Sequence, residues 1–116
     1  MRILVVDDDA IVVQSCCRIL EAEGMAIQTA DNVETGAAIL AAESFDLMLT
    51  DIKMPGRDGF EMIRRAKKIR PGMPILMMTG YLTADTIEAG RHAGADNCIA
   101  KPFTPEELVQ AVLKMG

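Results

Sequence analysis

The sequence predicts an α/β fold in which five helices cover a doubly wound parallel sheet of five strands. Two observations support this prediction: five short apolar runs recur at regular intervals, and a helix-length stretch follows each of them. Continuous alternation of strand and helix is typical of a parallel sheet with right-handed crossovers. No linker, repeat or change of composition divides the 116 residues. We therefore expect one domain over residues 1–116, with no output domain in this chain.

The five apolar runs are too short for helices, and most of them do not alternate with polar residues. This pattern is typical of strands that are buried on both faces. The predicted strands cover residues 3–6, 25–29, 47–50, 75–78 and 98–100. In the commonest order for such a sheet, 2-1-3-4-5, the first and third strands are neighbours.

The first three predicted helices have recognisable start or stop signals. Asp9 is a candidate cap for a helix over residues 10–23, which Gly24 ends. Asp31 or Asn32 begins the second helix, and the third covers about residues 58–69.

The last two predicted helices differ in quality. The fourth begins after Thr83, and Gly90 inside it costs roughly 1 kcal/mol relative to Ala. In the fifth, Thr104 and Glu107 have the spacing of a capping box, and Pro105 lies in the first turn. The apolar face of the fourth helix is limited to Ala84, Ile87 and Ala89.

Composition excludes several classes of protein. The net charge of −5 argues against nucleic-acid binding, and the basic segment at residues 64–70 is interpreted as a solvated helix face. Three cysteines, two of them adjacent, predict neither a disulfide framework nor a zinc site. Three aspartates interrupt the N-terminal apolar run, so it is neither a signal peptide nor a membrane span. We expect a cytoplasmic protein with no membrane partner.

Polar side chains follow four of the five predicted strands. Ligands of such sheets bind beyond the carboxyl ends of the strands, where the strand order reverses. These ends therefore define the candidate site. The residues placed there are Asp7, Asp8 and Asp9 after the first strand, Asp51 after the third, Thr79 after the fourth and Lys101 after the fifth.

Asp7, Asp8 and Asp51 together predict a metal site. Three crowded carboxylates repel one another unless a cation lies between them. Hard oxygen ligands suit Mg²⁺, and Lys101 would balance the remaining negative charge. Asp9 is interpreted as a helix cap instead.

A phosphoryl group is the ligand best suited to such a site. The first strand is followed by neither a dinucleotide-binding glycine motif nor a P-loop, so a phosphoryl group would arrive through the metal. The Thr79 hydroxyl can donate to a phosphoryl oxygen. His92, the only histidine, is placed at a solvated helix end, which leaves no histidine-based triad.

Four segments together resemble the receiver domain of two-component response regulators. They are "ILVVDDD", "DLMLTDIKMPGRDG", "MMTG" and "GADNCIAKPFTPEEL", in the family's order and spacing over essentially the whole chain. The resemblance implies a flavodoxin-like fold and a signalling domain that catalyses its own phosphorylation and dephosphorylation rather than an enzyme.

The resemblance also implies residue roles. Asp51 would accept a phosphoryl group from a phosphohistidine on a sensor histidine kinase or a phosphotransfer protein. Asp8 would bind Mg²⁺ directly, Asp7 mainly through water, and Lys53 through its backbone carbonyl. Two further residues, Lys101 and Thr79, would contact the phosphoryl oxygens, and the Lys101–Pro102 peptide bond would be cis.

The implied output is a change of shape that a partner recognises. Movement of Thr79 toward the phosphoryl group would reshape the fourth helix, fifth strand and fifth helix, for a downstream protein or an output domain. The family usually has Tyr or Phe as a switch where this chain has Cys98, and Tyr81 is a candidate substitute. A phosphorylation-dependent dimer is left open.

Two alternatives stay open from the sequence. Asp7-Asp8-Asp9 contains the Asp-x-Asp motif of haloacid-dehalogenase-type phosphatases, with Asp7 as nucleophile and Asp9 as acid, although the later acid pair and the longer chain are missing. A degenerate receiver would be an interaction module that never takes phosphate, and Cys98 is the single feature in its favour.

Overall fold

A five-stranded parallel sheet forms the centre of the molecule. The structure is a computed structural model, and it describes residues 1–53 and 58–115. The strand order is β2-β1-β3-β4-β5, with every neighbouring pair parallel. The predicted fold class and strand order are confirmed. The strands are β1 (Arg2–Val6), β2 (Ala26–Ala30), β3 (Leu47–Asp51), β4 (Ile75–Thr79) and β5 (Asn97–Ala100).

One helix follows each strand. The helices are α1 (Ala10–Glu21), α2 (Val33–Ala42), α3 (Glu61–Ile69), α4 (Ala84–Ala93) and α5 (Pro105–Met115). The expected bounds hold to within about three residues. The expected turn at Met54, Pro55 and Gly56 lies outside the described residues. Within residues 1–53 and 58–115, no helix has the length and apolar character needed to cross a bilayer.

Side chains at the helix starts explain where several helices begin. The Asp9 carboxylate accepts from the Ile11 backbone N–H at 3.0 Å, which confirms it as a cap. In the capping box of α5, the Glu107 carboxylate accepts from the Thr104 N–H at 2.8 Å and the Thr104 hydroxyl from the Glu107 N–H at 3.1 Å. Such caps satisfy backbone donors that have no partner inside the helix. Asn32 and Thr83 cap α2 and α4 in the same way.

The two faces of the sheet carry separate hydrophobic clusters, because side chains alternate along each strand. On one face, Met48, Met77 and their neighbours pack with α2 and α3. On the other, Leu47, Leu49 and their neighbours pack with α1 and α5. Covering both faces leaves only the strand ends accessible in the centre of the sheet. The ends of β1 and β3 therefore form the natural position for a site.

The apolar face expected for α4 is wrong at two of its three residues. Ala84 and Ile87 are exposed, Ala89 is half-buried, and Gly90 is the buried residue of this fully described helix. A Cβ atom at position 90 would lie 2.5 Å from the Met77 Sδ atom and 3.8 Å from a ring carbon of Phe60. Gly90 is thus required for close packing, which propensity alone does not show.

Candidate functional site

Asp7 and Asp51 lie side by side at the carboxyl ends of the two central strands. The register pairs Val6 with Thr50, so the next residue of each strand is a carboxylate. The Asp7 N–H donates to the Ala30 carbonyl at 3.1 Å, so the hydrogen bonding between β1 and β2 continues one residue beyond the end of β1. Asp7 is 0% exposed and Asp51 is 6% exposed. Two buried carboxylates that lie side by side require a positive group nearby, since a charge buried without a partner is costly.

Lys101 supplies a positive group to both carboxylates. Its Nζ atom lies 2.8 Å from Asp7 Oδ2 and 3.2 Å from Asp51 Oδ2. The Lys101 backbone N–H donates to the Thr79 carbonyl at 2.8 Å, which fixes the chain at the end of β5. The peptide bond from Lys101 to Pro102 is cis, as the resemblance implied.

The electrostatics of this group favour proton uptake by Asp51. Burial raises the pKa of the Asp51 carboxyl most, and the neighbouring Asp7 charge raises it further. The hydrogen bond from the Lys53 backbone N–H and the charge of Lys101 act in the opposite direction. Burial lowers the pKa of Lys101, but the hydrogen bond to Asp7 and the charges of Asp51 and Asp7 outweigh it and raise the value overall. The site therefore has excess negative charge that a cation would neutralise.

Asp7, Asp8 and Asp51 fit a divalent cation. One carboxylate oxygen from each residue can be chosen so that all three lie within 4.8 Å of one another. Asp8 is exposed and faces solvent, whereas Asp7 and Asp51 are buried. An all-oxygen set with one exposed member suits Mg²⁺, which retains several waters.

Lys53 is brought to the same place by the chain that leaves β3. Its backbone N–H donates to the Asp51 Oδ1 atom at 3.1 Å. Gly59 lies against the Ile52 carbonyl, where a Cβ atom would collide with the oxygen. Gly59 is not among the residues predicted for the site, although the Asp58-Gly59 pair before a helix is a recognisable turn signal.

A cavity of about 470 Å³ opens beside the Asp51 carboxylate. Thr79 lines it, is 3% exposed, and accepts a hydrogen bond from the Tyr81 N–H at 3.0 Å through its hydroxyl oxygen. Phe60 and Thr86 also line the cavity. Sequence reasoning missed both, because they project from the starts of two helices whose relative placement depends on the tertiary fold. The cavity is large enough to admit a phosphoryl group.

The two remaining candidate switch residues lie in different surroundings. Tyr81 is 69% exposed, and the Lys53 Nζ atom lies 5.7 Å from the centre of its ring. Cys98 is half-buried on β5, opposite Met77 of β4. Tyr81 thus borders the cavity, whereas Cys98 packs against the hydrophobic cluster below it. His92 is exposed beside Glu88, as expected, and takes no part in the site.

The family model described as the response regulator receiver domain matches residues 3–113. The chain belongs to this family. The match includes every candidate site residue, from Asp7 to Lys101.

Curated relatives and solved structures agree with the family. The chain is 37% identical to response regulator MprA of Mycobacterium avium, over 94% of this chain and 48% of the relative. It is 38% identical to transcriptional regulatory protein ResD of Bacillus subtilis, over 96% of this chain and 46% of the relative. The chain therefore spans about half the length of these relatives.

Among solved structures, a response regulator receiver domain protein from Methanospirillum hungatei has 40% identity and a TM-score of 0.91, with 97% of this chain and 90% of that chain covered. Chemotaxis protein CheY4 of Vibrio cholerae has 27% identity and a TM-score of 0.94, with 99% and 98% covered. Both similarities extend over the whole sheet and its helices.

Proposed function

We propose that this receiver domain accepts a phosphoryl group on Asp51 from the phosphohistidine of a sensor histidine kinase or a phosphotransfer protein. The observation that carries this proposal is the buried Asp51 carboxylate, which faces an open cavity and is flanked by Lys101, Asp7 and Asp8. Lys101 and Thr79 would contact the phosphoryl oxygens. Asp8, Asp7, Asp51 and the Lys53 carbonyl would hold Mg²⁺.

The chemistry is an in-line displacement at phosphorus. An Asp51 carboxylate oxygen attacks the phosphorus atom, the bond from phosphorus to the histidine nitrogen breaks, and its electron pair returns to the imidazole ring. Hydrolysis later breaks the new bond and releases inorganic phosphate, so that the domain catalyses its own dephosphorylation. Phosphoryl transfer depends mainly on positioning and charge stabilisation. Bound Mg²⁺ would supply most of the charge stabilisation, and Lys101 the rest.

The Asp51 adduct would change the charge that the site must accommodate. A carboxylate of charge −1 becomes an acyl phosphate of about −1.5 to −2, with three acceptor oxygens. The Thr79 hydroxyl is free to donate to one of these oxygens, because in this structure it accepts from Tyr81. Its movement would shift the surface formed by α4, β5 and α5. Tyr81 and Cys98 are the side chains proposed to follow that movement.

The partners are those of a signalling domain. We propose a downstream protein or an output domain as the receiver of the signal, and a phosphorylation-dependent dimer as one form that output could take. Residues 1–116 would form one domain that makes no direct contact with nucleic acid, given its net charge of −5. The relative that is named a transcriptional regulatory protein is about twice as long as this chain.

The two alternatives are less compatible with the geometry. A haloacid-dehalogenase-type phosphatase would use Asp9 as its acid, but the Asp9 side chain caps α1. A degenerate receiver would not need the acids and the lysine to converge, yet the Lys101 Nζ atom lies within hydrogen-bonding distance of both Asp7 and Asp51. We therefore favour phosphoryl acceptance over both.

The direct test is incubation with Mg²⁺ and acetyl phosphate, followed by intact mass spectrometry. We expect a single phosphoryl adduct that is absent when EDTA removes Mg²⁺ and absent in Asp51→Asn. Asp85→Asn, which changes an exposed aspartate of α4, should be phosphorylated like the unmodified protein. The same adduct in Asp51→Asn, or none in the unmodified protein with beryllofluoride also failing to bind, would contradict phosphoryl acceptance at this site.

A further inference from the structure

Helix α4 rests on the sheet through one very close contact. Gly90 is the buried residue of this fully described helix, and Ile87, its large aliphatic residue, is 40% exposed. A Cβ atom at position 90 would lie 2.5 Å from Met77 Sδ and 2.8 Å from Met77 Cε. The backbone of α4 therefore lies directly on the Met77 thioether. A helix with so little buried side chain depends strongly on such a contact for its position.

Met77 lies in the strand that ends at Thr79. The two residues are separated by one position, so their side chains leave the same side of β4. The cross-strand neighbours of Met77 are Thr50 on β3 and Cys98 on β5. Both neighbours are small, whereas Met77 is 1% exposed and fills the space under α4. On this face, Met77 is the side chain placed to transmit a shift of β4 to α4.

We infer that the contact between Met77 and Gly90 couples the phosphoryl-acceptor site to α4 in this protein. This inference rests on the proposed function and adds the element that carries its signal. When Thr79 is drawn toward the Asp51 adduct, the end of β4 moves and Met77 moves with it. Because no side chain at position 90 separates Met77 from the helix backbone, a displacement of the thioether pushes directly on the backbone of α4.

Methionine suits this role for a physical reason. Its unbranched side chain has three rotatable bonds and a polarizable sulfur, so it can change rotamer and still fill the same space. Cys98 beside it has no ring that could turn inward, and Tyr81 lies outside the cluster, 69% exposed. A thioether that changes rotamer beneath Gly90 would allow α4 a second packing against the sheet. Discrete alternative packings are what a switch of this kind requires.

The first test follows the methionine methyl groups by NMR. Protein labelled with ¹³C at the methionine methyl carbons would be compared with and without Mg²⁺ and beryllofluoride, with Met77 assigned through Met77→Leu. We expect the Met77 methyl signal to move on addition of beryllofluoride, together with the amide signals of residues 84–93. Met48, which is buried on the same face of the sheet at 0% exposure, serves as the internal control and should move much less.

The second test places a methyl group in the contact. Gly90→Ala forces the flexible end of Met77 aside, so the protein should fold and still form the Asp51 adduct, because Gly90 lies outside the site. We expect the amide signals of α4 to be shifted before activation, and their response to beryllofluoride to fall by at least half. Gly72→Ala is the matched control, since a Cβ atom there meets nothing within 4 Å.

The outcomes separate this inference from the proposed function. If the adduct forms but the Met77 methyl stays still while α4 responds, the coupling contact is wrong and the acceptor chemistry stands. An α4 response in Gly90→Ala equal to that of the Gly72→Ala control would overturn it in the same way. If no adduct forms, phosphoryl acceptance fails and the coupling fails with it.

Discussion

At the scale of single residues, the Asp51 carboxylate is held in a state that the folded protein disfavours. Burial, together with the Asp7 charge, raises its pKa above the usual value, so the native state binds a proton more readily than the unfolded chain does. The contribution of Asp51 to the free energy of unfolding therefore falls as pH rises from the unfolded-state pKa toward the native-state pKa. At pH values above the unfolded-state pKa and without Mg²⁺, Asp51 therefore makes the fold less stable than a neutral side chain of the same shape would.

Asp51→Asn should therefore be more stable than the unmodified protein in EDTA at neutral pH. Asparagine has nearly the same shape and can still accept from the Lys53 N–H, but it carries no charge. Urea unfolding across acidic and neutral pH measures this, and the stability gained by the variant should shrink as the pH falls. A gain that is absent at neutral pH, or that increases toward acid, would contradict the electrostatic account.

Lys101 should have the opposite effect on stability. Replacement by methionine keeps much of the aliphatic chain but leaves Asp7, at 0% exposure, without its ion pair. We expect a loss on the order of 1–3 kcal/mol in unfolding free energy, the usual cost of an unsatisfied buried group. Adding Asp7→Asn should restore part of it. Equal stabilities of Lys101→Met and the exposed control Lys114→Met would show that the pair contributes little.

Residue placement was predictable from the sequence only in part. The convergence of Asp7, Asp51 and Lys101 follows from the rule that parallel strands deliver their last residues to one edge of the sheet. That Lys101 contacts both carboxylates, or that Asp7 is buried while Asp8 is exposed, does not follow, because each depends on side-chain packing from separate elements. Phe60 and Thr86 were missed beside the cavity for the same reason.

At the scale of elements, the start of α5 was well predicted from its capping residues. Thr104 and Glu107 exchange two hydrogen bonds at its start, as their spacing predicted. Thr104→Ala should lower the free energy of unfolding by about 1 kcal/mol, whereas Thr104→Ser, which keeps the hydroxyl, should cost little. Chemical denaturation of both variants measures the difference. Equal losses in the two variants would mean that the hydroxyl does not cap this helix.

Helix α4 shows where local reasoning fails. Helix propensity predicts that Gly90 destabilises the helix, and the spacing of apolar residues predicts an apolar face formed by Ala84, Ile87 and Ala89. The structure buries Gly90 instead, since the close approach of Met77 leaves no room for a side chain. Tertiary packing thus decides the residue at position 90, because no local pattern in the sequence shows that a strand residue and a helix residue will be in contact.

At the scale of the whole molecule, the strand order and the element order were predictable because the alternation of strands and helices is continuous. Parallel strands joined by right-handed crossovers leave few arrangements of five strands. The two clusters on opposite faces of the sheet follow from the same alternation. The sequence could not give the relative placement of the helices, on which the shape of the cavity depends.

Binding of Mg²⁺ should stabilise the whole fold. A ligand at one hundred times its dissociation constant adds about 2.7 kcal/mol when it binds the native state alone. We expect the thermal midpoint to rise as Mg²⁺ is added and to return when EDTA removes it. Asp8→Asn should weaken this rise without the loss of stability expected of a buried residue. A midpoint that Mg²⁺ leaves unchanged would contradict a metal site at Asp7, Asp8 and Asp51.

The most direct test of the central claim is the chemical identity of the phosphorylated residue. After reaction with acetyl phosphate and Mg²⁺, treatment with hydroxylamine converts an acyl phosphate to a hydroxamate, which peptide mass spectrometry can locate. We predict that the hydroxamate forms on Asp51 alone and that the phosphoryl group is released. A hydroxamate on Asp7 would indicate the phosphatase-type alternative, and a phosphate that resists hydroxylamine would contradict an aspartyl acceptor altogether.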